Sequence, residues 1–270
     1  TMKKIITSVI ALVVLFGVQS AKAWGTWGHH AVAFIAEKHL TPEAKAKCEQ
    51  YLQFSLPHYS SWQDYWRNSH PFEEITHWHM NRVDKDFVTV GTKGNVSRDA
   101  VTQINRIVKE MEKGKYKQMS DSLVAVNLKL LIHMVGDMHC PCHMAYSKDF
   151  LQQRGVKGVS IFVKGKKYDY HKFWDAAPQI MNPKWKADDY LKACDTYSPK
   201  QIKKISKGNV YKWSVDNAKR EVVMFDFWER HEELTKMSKE RRECINDLMY
   251  QQLAYAGYRL AATLNRLFAK

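Results

Sequence analysis

The sequence predicts an all-α domain carrying one small β-hairpin. Apolar residues recur at helical spacing along several long stretches, and N-cap residues stand directly ahead of some of them. A single segment alternates like a pair of strands. No internal repeat and no linker rich in Gly, Ser or Pro divides the chain, so one domain is the simplest account.

The first 23 residues are read as an address. Met2-Lys3-Lys4 gives a charged start, with Thr1 an extra residue ahead of it. Ile5 to Val18 is almost wholly apolar, and Ala21-Lys22-Ala23 puts small residues where a signal peptidase reads. The competing reading, a membrane anchor, suits a longer stretch with different flanks. Cleavage after Ala23 would leave one domain, 24–270, starting at Trp24. Export to the periplasm or the medium is the expected localisation, with no stable membrane insertion afterwards.

Within that domain, His29 to His39 is predicted to be helical. Thr41-Pro42-Glu43 starts a second helix running to about Phe54, with Pro in the first turn. Ser97 is expected to cap a helix from Arg98 to about Lys113, its stripe formed by Val101, Ile104, Ile107, Val108 and Met111. Ser120 opens a long helix to about Asp137, with Leu123, Val126, Leu130, Leu131 and Met134 inward. Val159 to Val163, a turn at Lys164-Gly165 and Lys167 to Tyr170 form the hairpin. Ser214 to Arg230 and Lys239 to Phe268 close the chain as two long helices.

Lys+Arg of 42 against Asp+Glu of 28 gives a net charge of +14. Removing Lys3, Lys4 and Lys22 with the leader leaves +11. An exported chain this basic favours anionic partners, namely nucleic acid, lipid headgroups or cell-wall polymers. With 45% hydrophobic residues, disorder is excluded, and five cysteines are too few for a disulfide-stapled scaffold.

The chemistry sits in histidines and carboxylates. His133 and Asp137 are four apart and share a helix face, and Pro141 should bend the chain so that His143 points elsewhere. His171 and Asp175 repeat the four-residue spacing. Imidazole and carboxylate are the donors zinc takes where thiolate is absent. A freed Trp24 amine, with His29 five residues on, adds further donors. Satisfied core histidines are the bland alternative.

With Trp62-Gln-Asp64-Tyr-Trp-Arg67 and Trp78-His79 added, the chain resembles the secreted zinc-dependent nucleases of the S-one/P-one type, over essentially all of Trp24 to Lys270. The shared motifs are WGxxGH, Trp-x-Asp-x-x-Arg, a lone His, HxxGDxHxPxH and HxxWD. The resemblance implies a mainly helical fold and three zinc ions. Asp64, His79, His133 and Asp137 would hold one ion, and His143, His171 and Asp175 a second. The Trp24 amine and carbonyl, His29 and a bridging Asp137 would hold the third. It implies hydrolysis of single-stranded DNA and RNA to 5′-phosphorylated products, with activity on 3′-nucleotides and no obligate protein partner. Asp64 and Arg67 would be catalytic, the first handling the nucleophile's proton and the second bearing phosphate charge.

Some positions depart from the family pattern. An aromatic residue usually follows the lone His, with Asp or Asn two positions later. Met80 and Arg82 stand there and are the substrate-pocket positions, with Asn81 taking part if the register slips by one. Gly155-Val156-Lys157 and Asp169-Tyr170 also differ. His77 competes with His79 as the ligand. His139 fits the motif in an orienting or packing role. Cys140-Pro-Cys142 offers soft donors, with Cys142 at a usually apolar position, and Cys194 and Cys244 are a possible bridge. Two other functions share these features: a zinc-dependent phospholipase C, and a non-catalytic basic protein with structural zinc.

Overall fold

The computed structural model describes residues 24–84, 86–87, 99–146, 160–224 and 232–269. The leader, Ser97-Arg98, Gly155-Val156-Lys157 and the end of the Ser214–Arg230 stretch lie outside the described residues. The fold is mainly helical. Helix α1 is Gly25–Lys38, α2 Pro42–Tyr51, α3 Leu56–Tyr59 and α4 Trp62–Trp66. Then come α5 (Ala100–Met111), α6 (Asp121–His139), α7 (Tyr170–Met181), α8 (Ala187–Cys194), α9 (Pro199–Ile205), α10 (Val210–Met224) and α11 (Lys239–Phe268).

Side-chain caps explain several starts. Thr41 Oγ1 accepts from the Ala44 N–H at 3.2 Å, with Pro42 at the first turn. Asp99, in place of Ser97, caps α5 by accepting from Thr102 N–H at 2.8 Å. Ser120 accepts from Leu123 N–H, and Ser238 from Arg241 N–H, both at 3.3 Å. The helix expected from Ser214 begins four residues earlier. Asn209 Oδ1 accepts from Lys212 N–H at 3.0 Å, and Ser214 is buried inside the helix instead. The second helix stops at Tyr51, because Leu52 turns extended and buries while Phe54 stays exposed.

Leu130, Leu131 and Met134 of the expected α6 stripe are buried, and the stripe departs only in the first two turns. Leu123 is 48% exposed and Val126 only half-buried, while Val124, Asn127, Leu128 and Leu131 turn inward. Leu123 lies in the first turn, ahead of the stretch that the other helices surround. From Leu130 to His139 every residue is buried, so this half of the helix is the centre of the core.

The expected hairpin forms between β3 (Ser160–Val163) and β4 (Lys166–Asp169), with Val163 opposite Lys166. Lys164 and Gly165 both have positive φ, as a tight two-residue hairpin turn requires. Two strand pairings carried no sequence signal. β1 (Asn81–Val83) lies parallel to β2 (Met144–Tyr146), and β5 (Glu232–Glu233) adds a parallel edge to β3. Each is too short to show alternation.

α1 packs along α11, and Gly257 lets them touch. A Cβ there would lie 2.5 Å from Ile35 Cγ2 and 3.1 Å from the Val32 carbonyl oxygen. Gly257→Ala should therefore cost about 1–3 kcal/mol through overpacking. A thermal melt checks this: the midpoint should fall by several degrees, and an unchanged midpoint would show that the two helices can separate freely. All five cysteines are free, so the Cys194–Cys244 bridge does not form. Cys194 is enclosed in the core, while Cys244 is half-buried near the start of α11.

Candidate metal centre

The buried half of α6 carries His133 and Asp137 inward, one turn apart. Pro141 ends the helix as expected. Cys140 turns extended (φ −75°, ψ 124°), and a short 3-10 turn, Pro141–His143, redirects His143. On the far side, Asp169 Oδ1 accepts from Lys172 N–H at 2.7 Å and starts α7, whose first turns present His171 and Asp175. α1 supplies His29 and α4 supplies Asp64. The parallel β1–β2 pair draws the 79–81 segment against His143, so that His143 Nδ1 lies 2.9 Å from the His79 carbonyl.

Asp137 is the hub. Its Oδ1 is 3.2 Å from His29 Nε2 and 4.0 Å from His143 Nδ1, and its Oδ2 is 3.2 Å from His133 Nε2. Asp64 Oδ1 lies 3.8 Å from His133 Nε2 and 3.5 Å from Arg67 Nη1. Across Asp137, His143 Nε2 is 3.2 Å from His171 Nε2 and 3.7 Å from Asp175 Oδ1, and His171 Nε2 is 3.5 Å from Asp175 Oδ2. The His79 ring stands edge-on to His143 at 5.2 Å. The His29 ring stacks on His133 at 4.2 Å. That stacking needs Gly136, where a Cβ would meet His29 Nδ1 at 2.9 Å.

Backbone carbonyls orient two of these rings. His133 Nδ1 donates to Ser60 O at 2.7 Å, and His143 Nδ1 donates to His79 O. Each Nε2 then faces the carboxylates. Ser60 had no sequence signal, because its contribution is a carbonyl.

Burial pulls the His133 imidazole down, but Asp137 and Asp64 outweigh it and hold that ring up at about 9. Burial pushes Asp137 up, and His133 and His29 more than reverse this, so it lies well below the usual carboxylate range. Burial lowers His29, His79, His143 and His171, which favours the neutral imidazole that metals bind. Asp175 is pushed up to about 8, chiefly by burial, with Asp137 and Asp64 adding to it.

The donor set suits metal ions. Both nitrogens of His29, both oxygens of Asp64 and Asp137, His79 Nδ1, His133 Nε2 and Asp175 Oδ2 are buried without a hydrogen-bond partner. So many orphaned polar atoms are costly in a protein interior unless a cation satisfies them. The donor atoms gather in two foci among the described residues, one of His29, Asp64 and His133 and one of Cys142, His143, His171 and Asp175. His nitrogens and carboxylate oxygens fit zinc, with a thiol present in the second focus.

Other positions divide clearly. His77 is exposed at the end of its turn, whereas the His79 side chain reaches inward. His139 uses both nitrogens elsewhere, donating to Val135 O at 2.7 Å and accepting from Arg259 Nη1 at 3.0 Å. It ties α6 to α11. Trp24 is buried, its indole N–H donating to Gly136 O at 3.0 Å and its backbone N–H facing the Cys140 sulfur. Met80 is half-buried and Arg82 exposed on β1, while Asn81 is buried against Ser214. Tyr65 and Trp66, beside Asp64 in sequence, expose their rings (64% and 46%).

Comparison with known proteins follows the same lines. The S1/P1 Nuclease family profile matches residues 24–269. Nuclease S1 of Aspergillus oryzae is 23% identical over 281 residues, covering 92% of each chain. Endonuclease 2 of Arabidopsis thaliana is 22% identical over 291 residues, covering 98% of this chain and 97% of its own. Nuclease P1 of Penicillium citrinum is 23% identical over 193 residues, 69% of this chain and 68% of its own. The match spans the helices and turns that build the His–carboxylate centre, and the chain belongs to the S1/P1 nuclease family, a hydrolase of the nuclease class.

Proposed function

We propose that the chain hydrolyses single-stranded DNA and RNA to 5′-phosphorylated products, using three zinc ions, and that it also removes phosphate from 3′-nucleotides. The observation that carries this reading is the crowd of buried imidazole and carboxylate atoms without hydrogen-bond partners around Asp137. One ion would be held by Asp64, His79, His133 and Asp137. A second would be held by His143, His171 and Asp175, and the third by the Trp24 amine and carbonyl, His29 and Asp137. Bound zinc supplies Lewis-acid stabilisation of phosphate charge and acidifies water.

The chain's own groups do the rest. Arg67, 6% exposed and held 3.5 Å from Asp64, directs guanidinium N–H groups to the phosphate oxygens. Asp64 orients the attacking water and takes its proton on a carboxylate oxygen. Met80, half-buried just ahead of β1, and Arg82, exposed on that strand, contact the substrate. The basic surface draws in the polyanion, so binding weakens with salt. Cleavage of 1–23 frees the Trp24 amine and exports a single domain, 24–270.

Product release from single-stranded DNA tests this, using protein that begins at Trp24. Release of 5′-nucleotides should stop on chelation and return with zinc. A parallel sample keeping one residue ahead of Trp24 should bind two zinc ions rather than three. A folded, zinc-loaded protein that leaves DNA intact but cleaves phospholipid headgroups would overturn the nuclease reading, and unfolding on chelation would favour structural zinc. Equal zinc content in the two samples would remove Trp24 from the ligands.

A further inference from the structure

We propose that Cys142 is a metal ligand whose thiolate joins His143, His171 and Asp175 in a four-donor zinc set. The inference rests on the zinc-loaded reading above and adds a sulfur donor to it. One donor atom from each of these four residues lies within 4.8 Å of all the others. Zinc bonds of about 2.0–2.3 Å place adjacent donors of a tetrahedron roughly 3.3–3.8 Å apart. The separations here are close to that. His143 Nε2 to His171 Nε2 is 3.2 Å, His171 Nε2 to Asp175 Oδ2 is 3.5 Å, and His143 Nε2 to Asp175 Oδ1 is 3.7 Å. Cys142 Sγ to Asp175 Oδ1 is 3.2 Å.

The surroundings single out Cys142 from its neighbour. Cys142 is 6% exposed and turned toward Asp175, whose Oδ2 is buried without a hydrogen-bond partner. Cys140 Sγ lies 3.2 Å from Cys142 Sγ, outside the donor group, and takes the Trp24 backbone N–H. The Pro141–His143 turn puts Cys142 and His143 side by side in sequence, and both reach the same focus.

Without metal, the Cys142 S–H donates to Asp175 Oδ1. On loading, the S–H bond breaks, an S–Zn bond forms, and the proton leaves to solvent. Four protein donors then close this focus, as in structural zinc sites, and leave no position for water or substrate. The competing account is a plain S–H···O hydrogen bond that orients Asp175 while the metal takes only nitrogen and oxygen donors.

X-ray absorption on the zinc-loaded protein separates the two accounts. Sulfur scattering at about 2.3 Å is expected, and the cobalt-substituted protein should show a sulfur-to-metal charge-transfer band. Cys142→Ala should abolish the band and weaken zinc binding at one locus by at least ~10-fold in chelator competition, while Cys140→Ala keeps both. A fully loaded parent protein with only nitrogen and oxygen scattering would overturn the proposal and leave the nuclease reading intact. So would a band lost only with Cys140. The parent spectrum decides the question even if Cys142→Ala fails to fold. A protein that binds no zinc at all would instead remove the metal reading on which the proposal rests.

Discussion

Asp137→Ala is expected to reduce hydrolysis of single-stranded DNA by at least ~10³-fold and to strip zinc from the centre. Its two oxygens lie 3.2 Å from His29 Nε2 and His133 Nε2, and a third imidazole, His143, is 4.0 Å away. Among the described residues, no other carboxylate has ion-pair contacts with rings from α1, α6 and the turn after α6 together. Zinc content should fall from three ions to one, the ion at His143 and Asp175 surviving. The metal-free fold should tolerate the change. Both oxygens are buried without hydrogen bonds, and the His133 ring can give up its proton once the carboxylate is gone. Metal analysis, a thermal melt of the chelated protein and turnover together check the prediction. Full zinc content, or a chelated variant that no longer folds, would show that Asp137 is not primarily a ligand.

Asp64→Asn should leave the fold intact and abolish detectable hydrolysis, a loss on the order of 10³- to 10⁴-fold. Asparagine matches the carboxylate in shape, and the side chain is only 1% exposed, so packing hardly changes. Two things are lost. The neutral amide does not take a proton from water at ordinary pH, and it no longer balances the Arg67 guanidinium 3.5 Å away. The thermal midpoint of the chelated protein should stay within a few degrees of the parent. Near-normal turnover would remove Asp64 from the reaction and leave Arg67 to be explained alone.

The long elements were legible because their signals are local. Thr41-Pro42 and Ser120 cap helices where expected, and the Lys164-Gly165 turn closes the expected hairpin. Asp99 and Asn209 cap helices equally well, but nothing local ranks them above Ser97 or Ser214. β1, β2 and β5 left no trace, since strands of two or three residues depend on partners distant in sequence. His139 shows the same limit within the site. It stands in the motif beside true centre residues, and only contacts with Val135 and Arg259 occupy its two nitrogens.

Local spacing determined the helical class, the direction of His133 with Asp137 and of His171 with Asp175, and the break at Pro141, because each depends on backbone periodicity over a few residues. Tertiary structure decided how those pieces meet. It stacked His29 on His133 over Gly136, brought the His79 carbonyl to His143, and set the Cys142 sulfur 3.2 Å from Asp175. These contacts join residues from 33 to more than 100 positions apart. Such distances are fixed by how whole helices pack around a buried α6, and no short stretch of sequence encodes them.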